Sequence, residues 1–338
     1  MEALLKVKNL SIDIRRGENR LSSVKEVSFE IYPGEILGIA GESGSGKSLT
    51  SLSILGLLDE GKEVSSGEIL FHTNEEQKDG KAQYLDLLTL SQKDLEGYRG
   101  KEISMIFQET FSALNPLAKI GSQIAEALEI HGEKNKVFVR ERVIKLLTEL
   151  NFNNPENLME AYPHQLSGGM CQRVMIAMAV LCRPRILIAD EPTTALDEGT
   201  QVQILSLLKR INLEYGTSIL FISHDLSLIR NFSSRVLFMY SGRILEEGDT
   251  EEVFSHPANE YTRRLIGAIP NRGNRGNDLV SIPGRIPSLE EGRPRGCPFH
   301  PRCVKSRPLC SELFPEETKI NFNHKAHCVL AGSPGSGE

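Results

Sequence analysis

The chain has 338 residues, enough for one large domain with an appendage or for two domains. It carries 39 Lys and Arg against 45 Asp and Glu, and this net charge of −6 argues against broad binding of nucleic acid. No apolar run reaches the ~18–20 residues of a membrane-spanning helix, and the first residues lack the pattern of a secretion signal. We therefore expect a cytosolic protein that contacts a membrane only through a partner.

Predicted strands and helices alternate along most of the chain. Strands are predicted at 5–13, 27–31, 35–40, 65–71, 103–108, 186–189, 218–223 and 235–240, with a polar loop at 73–83. Helices are predicted at 49–58, 171–182, 201–214 and 226–231, and apolar residues at helical spacing mark a helical insert at 119–161. This alternation is typical of an α/β protein with a mostly parallel sheet.

A glycine-rich stretch between a predicted strand and a predicted helix is the most informative part of the chain. It consists of Gly41, Glu42, Ser43, Gly44, Ser45, Gly46, Lys47 and Ser48, followed by Leu49. Its glycines allow a tight turn in which successive N–H groups face an anion. In this P-loop pattern Lys47 reaches the β- and γ-phosphates, and the Ser48 hydroxyl ligates Mg²⁺. The strand and helix on either side favour this interpretation over a glycine-rich surface turn.

Two further motifs offer groups that a bound nucleotide needs. Asp190 directly follows the predicted strand at 186–189, where an Asp in a P-loop protein holds Mg²⁺ directly or through water. The adjacent Glu191 can polarise an attacking water as a general base. Beside an intact P-loop, we prefer these roles to the alternative of ordinary solvated acids. Earlier in the chain, Ser167, Gly168 and Gly169 precede a helix and offer backbone amides and a hydroxyl to an anion.

The order of these motifs resembles the ATP-binding subunit of ABC transporters over the whole chain. The resemblance implies an ABC-type P-loop NTPase domain with a RecA-like core, an antiparallel β subdomain and a helical signature subdomain, followed by a small Cys-rich C-terminal extension. The implied boundaries are 1–265 for the ATPase domain, with its helical subdomain at about 110–180, and 266–330 for the extension. A disordered tail is expected at 331–338.

The resemblance also implies a role for individual residues. Glu191 corresponds to the catalytic base, and His224 to the residue that contacts the γ-phosphate and holds the attacking water. Gln108 corresponds to the sensor of Mg²⁺, the water and the membrane subunits, and Asp197 to the residue that links the two sites of a dimer. The family's aromatic contact to adenine falls on Ile14, which predicts base binding weaker by about 1 kcal/mol.

The cysteines are distributed unevenly along the chain. Cys171 and Cys182 lie in the middle and are predicted to be buried small apolar residues. The other four, with five, six and 17 residues between them, are Cys297, Cys303, Cys310 and Cys328. This spacing matches neither a CxxC zinc ribbon nor a common ferredoxin. Four thiolates that converge in a segment without a conventional core can hold it together around a metal.

The segment around these cysteines narrows the resemblance. Residues 282–288 and 296–303 look like the extension of dipeptide/oligopeptide-importer ATPases, which implies a [4Fe–4S] cluster on the four cysteines. Four basic residues are then placed to offset its negative charge: Arg295, Arg302, Lys305 and Arg307. The alternatives are Zn²⁺ or unligated reduced cysteines, and further candidate ligands are His300, His324 and His327.

The combined resemblance predicts an ATP- and Mg²⁺-dependent ATPase that powers a peptide importer from the cytoplasmic face of a bacterial or archaeal membrane. Its implied partners are a second ATPase subunit, identical or different, two transmembrane permease subunits and an extracytoplasmic peptide-binding protein. The two ATPase subunits would meet head to tail, with ATP between the P-loop of one and Ser167–Gly169 of the other. The alternatives are an importer of nickel or another small solute, a soluble ABC ATPase acting on nucleic acid or ribosomes, and a redox sensor.

Overall fold

The computed structural model describes residues 2–76, 82–108, 113–269 and 282–332. Its strands are β1 (Leu5–Arg16), β2 (Asn19–Ile31), β3 (Ile36–Ala40), β4 (Lys62–Glu76), β5 (Ala82–Asp86), β6 (Ile103–Ile106), β7 (Ile186–Asp190), β8 (Ser218–Ile222), β9 (Arg235–Tyr240), β10 (Arg243–Asp249), β11 (Thr318–Lys319) and β12 (Lys325–Ala326). Its helices are α1 (Lys47–Ile54), α2 (Gln92–Glu96), α3 (Ile120–Ile130), α4 (Lys136–Glu149), α5 (Pro155–Glu160), α6 (Gly168–Val180), α7 (Glu198–Tyr215), α8 (Leu226–Phe232), α9 (Thr250–Ser255), α10 (Glu260–Gly267) and α11 (Pro308–Glu312). The predicted disordered tail lies outside the described residues from 333 onward.

The chain forms two compact units. The first comprises residues 1–32, 36–89 and 222–338, and the second comprises residues 33–35 and 90–221. The first unit therefore contains the P-loop and the C-terminal extension, whereas the second contains the helical insert and the acidic strand β7. No helix in the described ranges combines the length and apolar character needed to cross a bilayer.

An antiparallel sheet forms one part of the first unit, in the order β2-β1-β4-β5. Its strands are longer than predicted. For example, β2 begins at Asn19, and its first half is a polar stretch that pairs with β1 but has no apolar alternation to predict it. The predicted loop at 73–83 is wrong at both ends, since β4 continues to Glu76 and β5 begins at Ala82. Backbone ladder bonds can extend a strand beyond its apolar pattern.

The second group of strands in this unit has the order β11-β12-β10-β9-β3. Strand β3 is buried along its whole length and runs parallel to β9, which pairs antiparallel with β10. The C-terminal extension contributes to this sheet, because β12 pairs with β10 at Glu246 and Glu247.

The extension contributes to a buried cluster that it shares with β9, β10 and α10. Phe299 is only 1 % exposed and packs in one cluster with Tyr240, Leu245 and Tyr261. Its ring centroid lies 5.3 Å from those of Tyr240 and Tyr261. The aromatic residues of β9 and α10 therefore bury the extension, a contact that composition alone did not indicate.

The second unit contains the strand order β8-β7-β6, with residues 218–221 of β8 belonging to it. Strands β6 and β7 are parallel, and both are fully buried. The predicted helical insert at 119–161 is present as α3, α4 and α5, which pack on one another, and α3 also packs on α6. Gly121 fits closely in this packing, because a Cβ there would lie 2.7 Å from the Cβ of Met159.

Candidate nucleotide-binding site

The P-loop lies between β3 and α1, as its flanking sequence predicts. Gly41 has φ +151°, and an added Cβ would overlap the carbonyl oxygen of Met239 and lie 2.9 Å from the Ser45 hydroxyl. The end of β9 also fixes the loop from outside, because the Gly242 N–H donates to the Ser45 carbonyl at 2.8 Å. Gly46, with φ +104°, turns the chain into α1. The tight turn therefore depends on glycine at two places.

Lys47 points into this turn. Its side chain is buried, and Nζ donates to the carbonyl oxygens of Gly41 at 2.8 Å and Glu42 at 3.0 Å. Nζ also lies 3.4 Å from the Ser45 hydroxyl oxygen. An ammonium held inside a loop at a helix N-terminus gives this loop the positive charge that a phosphate chain requires.

Two other predicted residues belong to the same unit. His224 is exposed and follows Ser223, whose N–H donates to the Ile39 carbonyl in β3 at 3.4 Å. It therefore lies at the end of β3 from which the P-loop emerges. Ile14 is half-buried in β1, where it pairs with Leu21 on one side and Lys62 on the other.

The predicted acids lie at the end of β7 in the second unit. Asp190 is 4 % exposed, whereas Glu191 is half-buried and accepts a hydrogen bond from the Thr194 hydroxyl at 2.7 Å. Glu191 has φ +47°, a conformation that non-glycine residues rarely adopt and that recurs at functional sites. Gln108 is exposed just after β6, the parallel neighbour of β7, so these side chains leave the sheet at the same edge.

The predicted signature and D-loop residues lie at the starts of two helices in the second unit. Ser167 caps α6, and its hydroxyl accepts from the Met170 N–H at 3.4 Å. Asp197 caps α7 by accepting from the Thr200 hydroxyl at 2.7 Å and the Thr200 N–H at 3.0 Å, bonds that lower the pKa of Asp197. The two motifs meet at Gly169, where a Cβ would lie 2.6 Å from Thr200 Cγ2. The sequence did not predict this contact.

The four C-terminal cysteines line one small cavity of about 20 Å³, together with Phe299 and Lys305. Burial raises the pKa of Cys297 to about 12 and also raises that of Cys303, so both thiols are protonated at neutral pH in the absence of a metal. The Arg307 N–H donates to the sulfur of Cys310 at 3.4 Å. In the described part of the chain, no three His, Cys, Asp or Glu side chains are arranged to hold a single metal ion.

The remaining predictions about the cysteines and the C-terminal segment have mixed outcomes. Cys171 is fully buried and Cys182 is partly buried, in line with small apolar packing. Arg302, predicted to offset the charge of a cluster, instead forms an ion pair with Glu42 of the P-loop. His324 is also held elsewhere, with Nε2 2.7 Å from Glu246 Oε1. No sequence pattern indicates the contact between Arg302 and Glu42, because 260 positions separate the two residues.

Two other first-unit residues that sequence reasoning missed contact Glu42 or its ion-pair partner Arg302. The Tyr261 hydroxyl accepts from the Glu42 N–H at 3.0 Å, and the Tyr240 hydroxyl lies 3.2 Å from Arg302 Nη1. Burial raises the pKa of both tyrosines. The only sequence signal was that both are aromatic residues near the predicted end of the ATPase domain.

Comparison with known proteins supports the interpretation of these motifs. Residues 24–194 match the model of the ABC transporter family, and residues 245–310 match that of the oligopeptide/dipeptide transporter C-terminal region. The chain is 41 % identical over 331 residues to the dipeptide transport ATP-binding protein DppD of Bacillus subtilis (strain 168), covering 98 % of this chain and 95 % of DppD. It is 40 % identical over 331 residues to the oligopeptide transport ATP-binding protein OppD of Haemophilus influenzae, covering 98 % of each.

Solved structures show the same fold. The ATP-binding cassette MJ0796, in a dimeric post-hydrolysis state bound to ADP and Pi, matches with a TM-score of 0.61 and 31 % identity, covering 73 % of this chain and 98 % of that one. CbiO1 from Clostridium perfringens matches with a TM-score of 0.60 and 26 % identity, covering 75 % and 92 %. The predicted ABC-type P-loop fold is therefore confirmed. Since close relatives align over nearly its full length, the chain belongs to the ABC transporter ATP-binding subunits of the dipeptide/oligopeptide family.

Proposed function

We propose that this chain binds and hydrolyses ATP to power the import of dipeptides or oligopeptides. The observation that carries the proposal is the buried Lys47 ammonium inside a glycine turn at the start of α1. The relatives named for dipeptide and oligopeptide transport support the cargo class, since the similarity includes the C-terminal region.

The residue roles follow from the chemistry of phosphoryl transfer. Lys47 and the loop amides bind the phosphates, while Ser48, Asp190 and Gln108 hold Mg²⁺ directly or through water. Glu191 takes a proton from a water as its oxygen attacks the γ-phosphorus, and the bond from that phosphorus to the β,γ-bridging oxygen breaks. His224 orients this water and contacts the γ-phosphate, and Ile14 packs against adenine.

Assembly with other subunits completes this proposal. Two ATPase subunits meet head to tail, so that Ser167, Gly168 and Gly169 of one cover the triphosphate held by the other. Asp197 links the two sites across this dimer. The ATPase domain spans 1–265 and the extension spans 266–330. Two permease subunits hold the dimer at the cytoplasmic face of the membrane, and an extracytoplasmic peptide-binding protein delivers the solute.

We also propose that the extension holds a [4Fe–4S] cluster on the four cysteines that line one cavity. Each cysteine of such a cluster ligates a different iron, so the thiolates need not converge as closely as the ligands of one ion. The Arg307 N–H already bonded to the Cys310 sulfur is a contact that stabilises a ligating thiolate. The cavity residues would orient the cluster, and Lys305 would offset part of its negative charge.

A pair of variants tests the assignment of the ATP site. We expect Lys47→Ala to lose ATP affinity, and Glu191→Gln to keep it while turnover falls at least 100-fold and an ATP-bound dimer accumulates. Glu214→Gln, at an exposed position in α7, is the matched control with normal turnover. Unimpaired turnover in Glu191→Gln would refute the assignment of the base. Recovery of the tagged chain from solubilised membranes without a membrane-spanning partner would refute the importer.

A further inference from the structure

Glu42 of the P-loop places a carboxylate beside the position proposed for a polyanion. Its side chain is only about a quarter exposed. An unpaired carboxylate here would repel the phosphates and weaken ATP binding. The structure provides this carboxylate with a cation from the C-terminal extension.

That cation is Arg302, whose guanidinium binds the carboxylate with both of its terminal nitrogens. Nη1 lies 2.9 Å from Glu42 Oε1 and 3.2 Å from Oε2, and Nη2 lies 3.1 Å from Oε2. This forked geometry is the strong form of an Arg–carboxylate pair.

The extension holds Arg302 rigidly in this position. The residue is 8 % exposed, and its Nε donates to the Pro283 carbonyl at 2.8 Å. It ends a 3-10 helix (His300–Arg302) that directly follows Phe299, the buried aromatic residue of the extension. These contacts hold the guanidinium independently of Glu42, so pairing with Glu42 costs little additional side-chain entropy.

The backbone of Glu42 is fixed as well. Its N–H donates to the Tyr261 hydroxyl at 3.0 Å, and its carbonyl accepts from Lys47 Nζ at 3.0 Å. Lys47 and Arg302 thus bind opposite ends of the same residue, one at the carbonyl and one at the carboxylate. A change at Arg302 would therefore alter the environment of Glu42, whose carbonyl also binds Lys47.

We propose that Arg302 is a positioning residue for ATP binding: it neutralises Glu42 and turns its carboxylate toward the extension, so that the extension sets the affinity of the P-loop for phosphate. This inference rests on the proposed role of Gly41–Ser48 as the phosphate site. A purely structural ion pair would affect the binding of every nucleotide equally. This proposal instead predicts losses of affinity that increase with the negative charge of the nucleotide.

Titrations of the purified full-length chain with ATP·Mg²⁺, ADP·Mg²⁺ and AMP test this proposal. For Arg302→Gln we expect Kd for ATP·Mg²⁺ to rise about tenfold, which corresponds to about 1.4 kcal/mol. The loss should be smaller for ADP and smallest for AMP, and should shrink at about 0.5 M salt. Arg285→Gln is the matched control. Arg285 lies in the same extension, but it forms an exposed ion pair with Glu291 and does not pair with Glu42.

Charge removal on the other partner distinguishes positioning from simple structural support. Glu42→Gln leaves Arg302 as a net cation beside the phosphates and should lower Kd for ATP·Mg²⁺ two- to fivefold. The double variant Glu42→Gln/Arg302→Gln should recover most of the affinity lost in Arg302→Gln. Should Arg302→Gln not fold, the Glu42→Gln variant decides alone, and a raised Kd there would overturn the proposal.

Three results would count against this inference in different ways. Unchanged affinity in Arg302→Gln would overturn it, as would equal losses for ATP and AMP or a double variant no better than Arg302→Gln. By contrast, a wild-type chain that binds no ATP, or a Lys47→Ala variant that binds it normally, would overturn the proposed function and this inference together.

Discussion

Truncation of Phe299 tests whether the C-terminal extension is an integral part of the first unit. Phe299 is 1 % exposed and lies edge-on to Tyr240 and tilted against Tyr261, each with ring centroids 5.3 Å away. Removing a fully buried phenyl ring costs about 3–5 kcal/mol, through lost transfer free energy and the cavity left behind. Phe322 in the same extension is fully exposed, so Phe322→Ala should change stability by no more than about 0.5 kcal/mol.

Urea unfolding of the two variants, followed by tyrosine fluorescence, measures this difference. The chain contains no tryptophan, so the signal comes from its seven tyrosines, of which Tyr32, Tyr84, Tyr240 and Tyr261 lie in the first unit. With a denaturant slope of about 3 kcal/mol per molar, Phe299→Ala should unfold the first unit at a urea concentration about 1 M or more below wild type. A difference of less than about 1 kcal/mol between Phe299→Ala and Phe322→Ala would refute the integral packing of the extension.

Two further predictions concern the P-loop and the cysteines. Gly41→Ala should abolish measurable ATP binding while the chain stays folded, because its Cβ would overlap the Met239 carbonyl oxygen. Gly44→Ala meets no atom within 4 Å and is strained only through its φ of +78°, so it should lose less. Equal losses in nucleotide titrations would contradict the close-approach argument. Anaerobically purified protein should contain about four iron atoms per chain. Cys303→Ser should lower this iron content and Cys182→Ser should not, whereas colourless protein containing zinc would contradict the cluster.

Local sequence patterns were sufficient to predict several individual elements of the molecule. The glycine spacing of the P-loop, the apolar run of β7 and the helical periodicity of the insert each describe one element and its immediate neighbours. These elements occur in the structure with ends shifted by a few residues, because capping side chains such as Asp197 decide where a helix begins. The polar half of β2 was missed, since its strand conformation depends on pairing with β1.

The sequence by itself determined the ABC-type fold and the identity of the phosphate-binding loop, because the turn, the lysine and the flanking elements are contiguous in the chain. Only the tertiary structure decided that the extension packs into a buried aromatic cluster with β9 and α10 and that its Arg302 pairs with Glu42. Contacts between residues 260 positions apart leave no periodicity or spacing to detect. The P-loop is therefore recognisable from eight residues, but its charge balance depends on a segment near the other end of the chain.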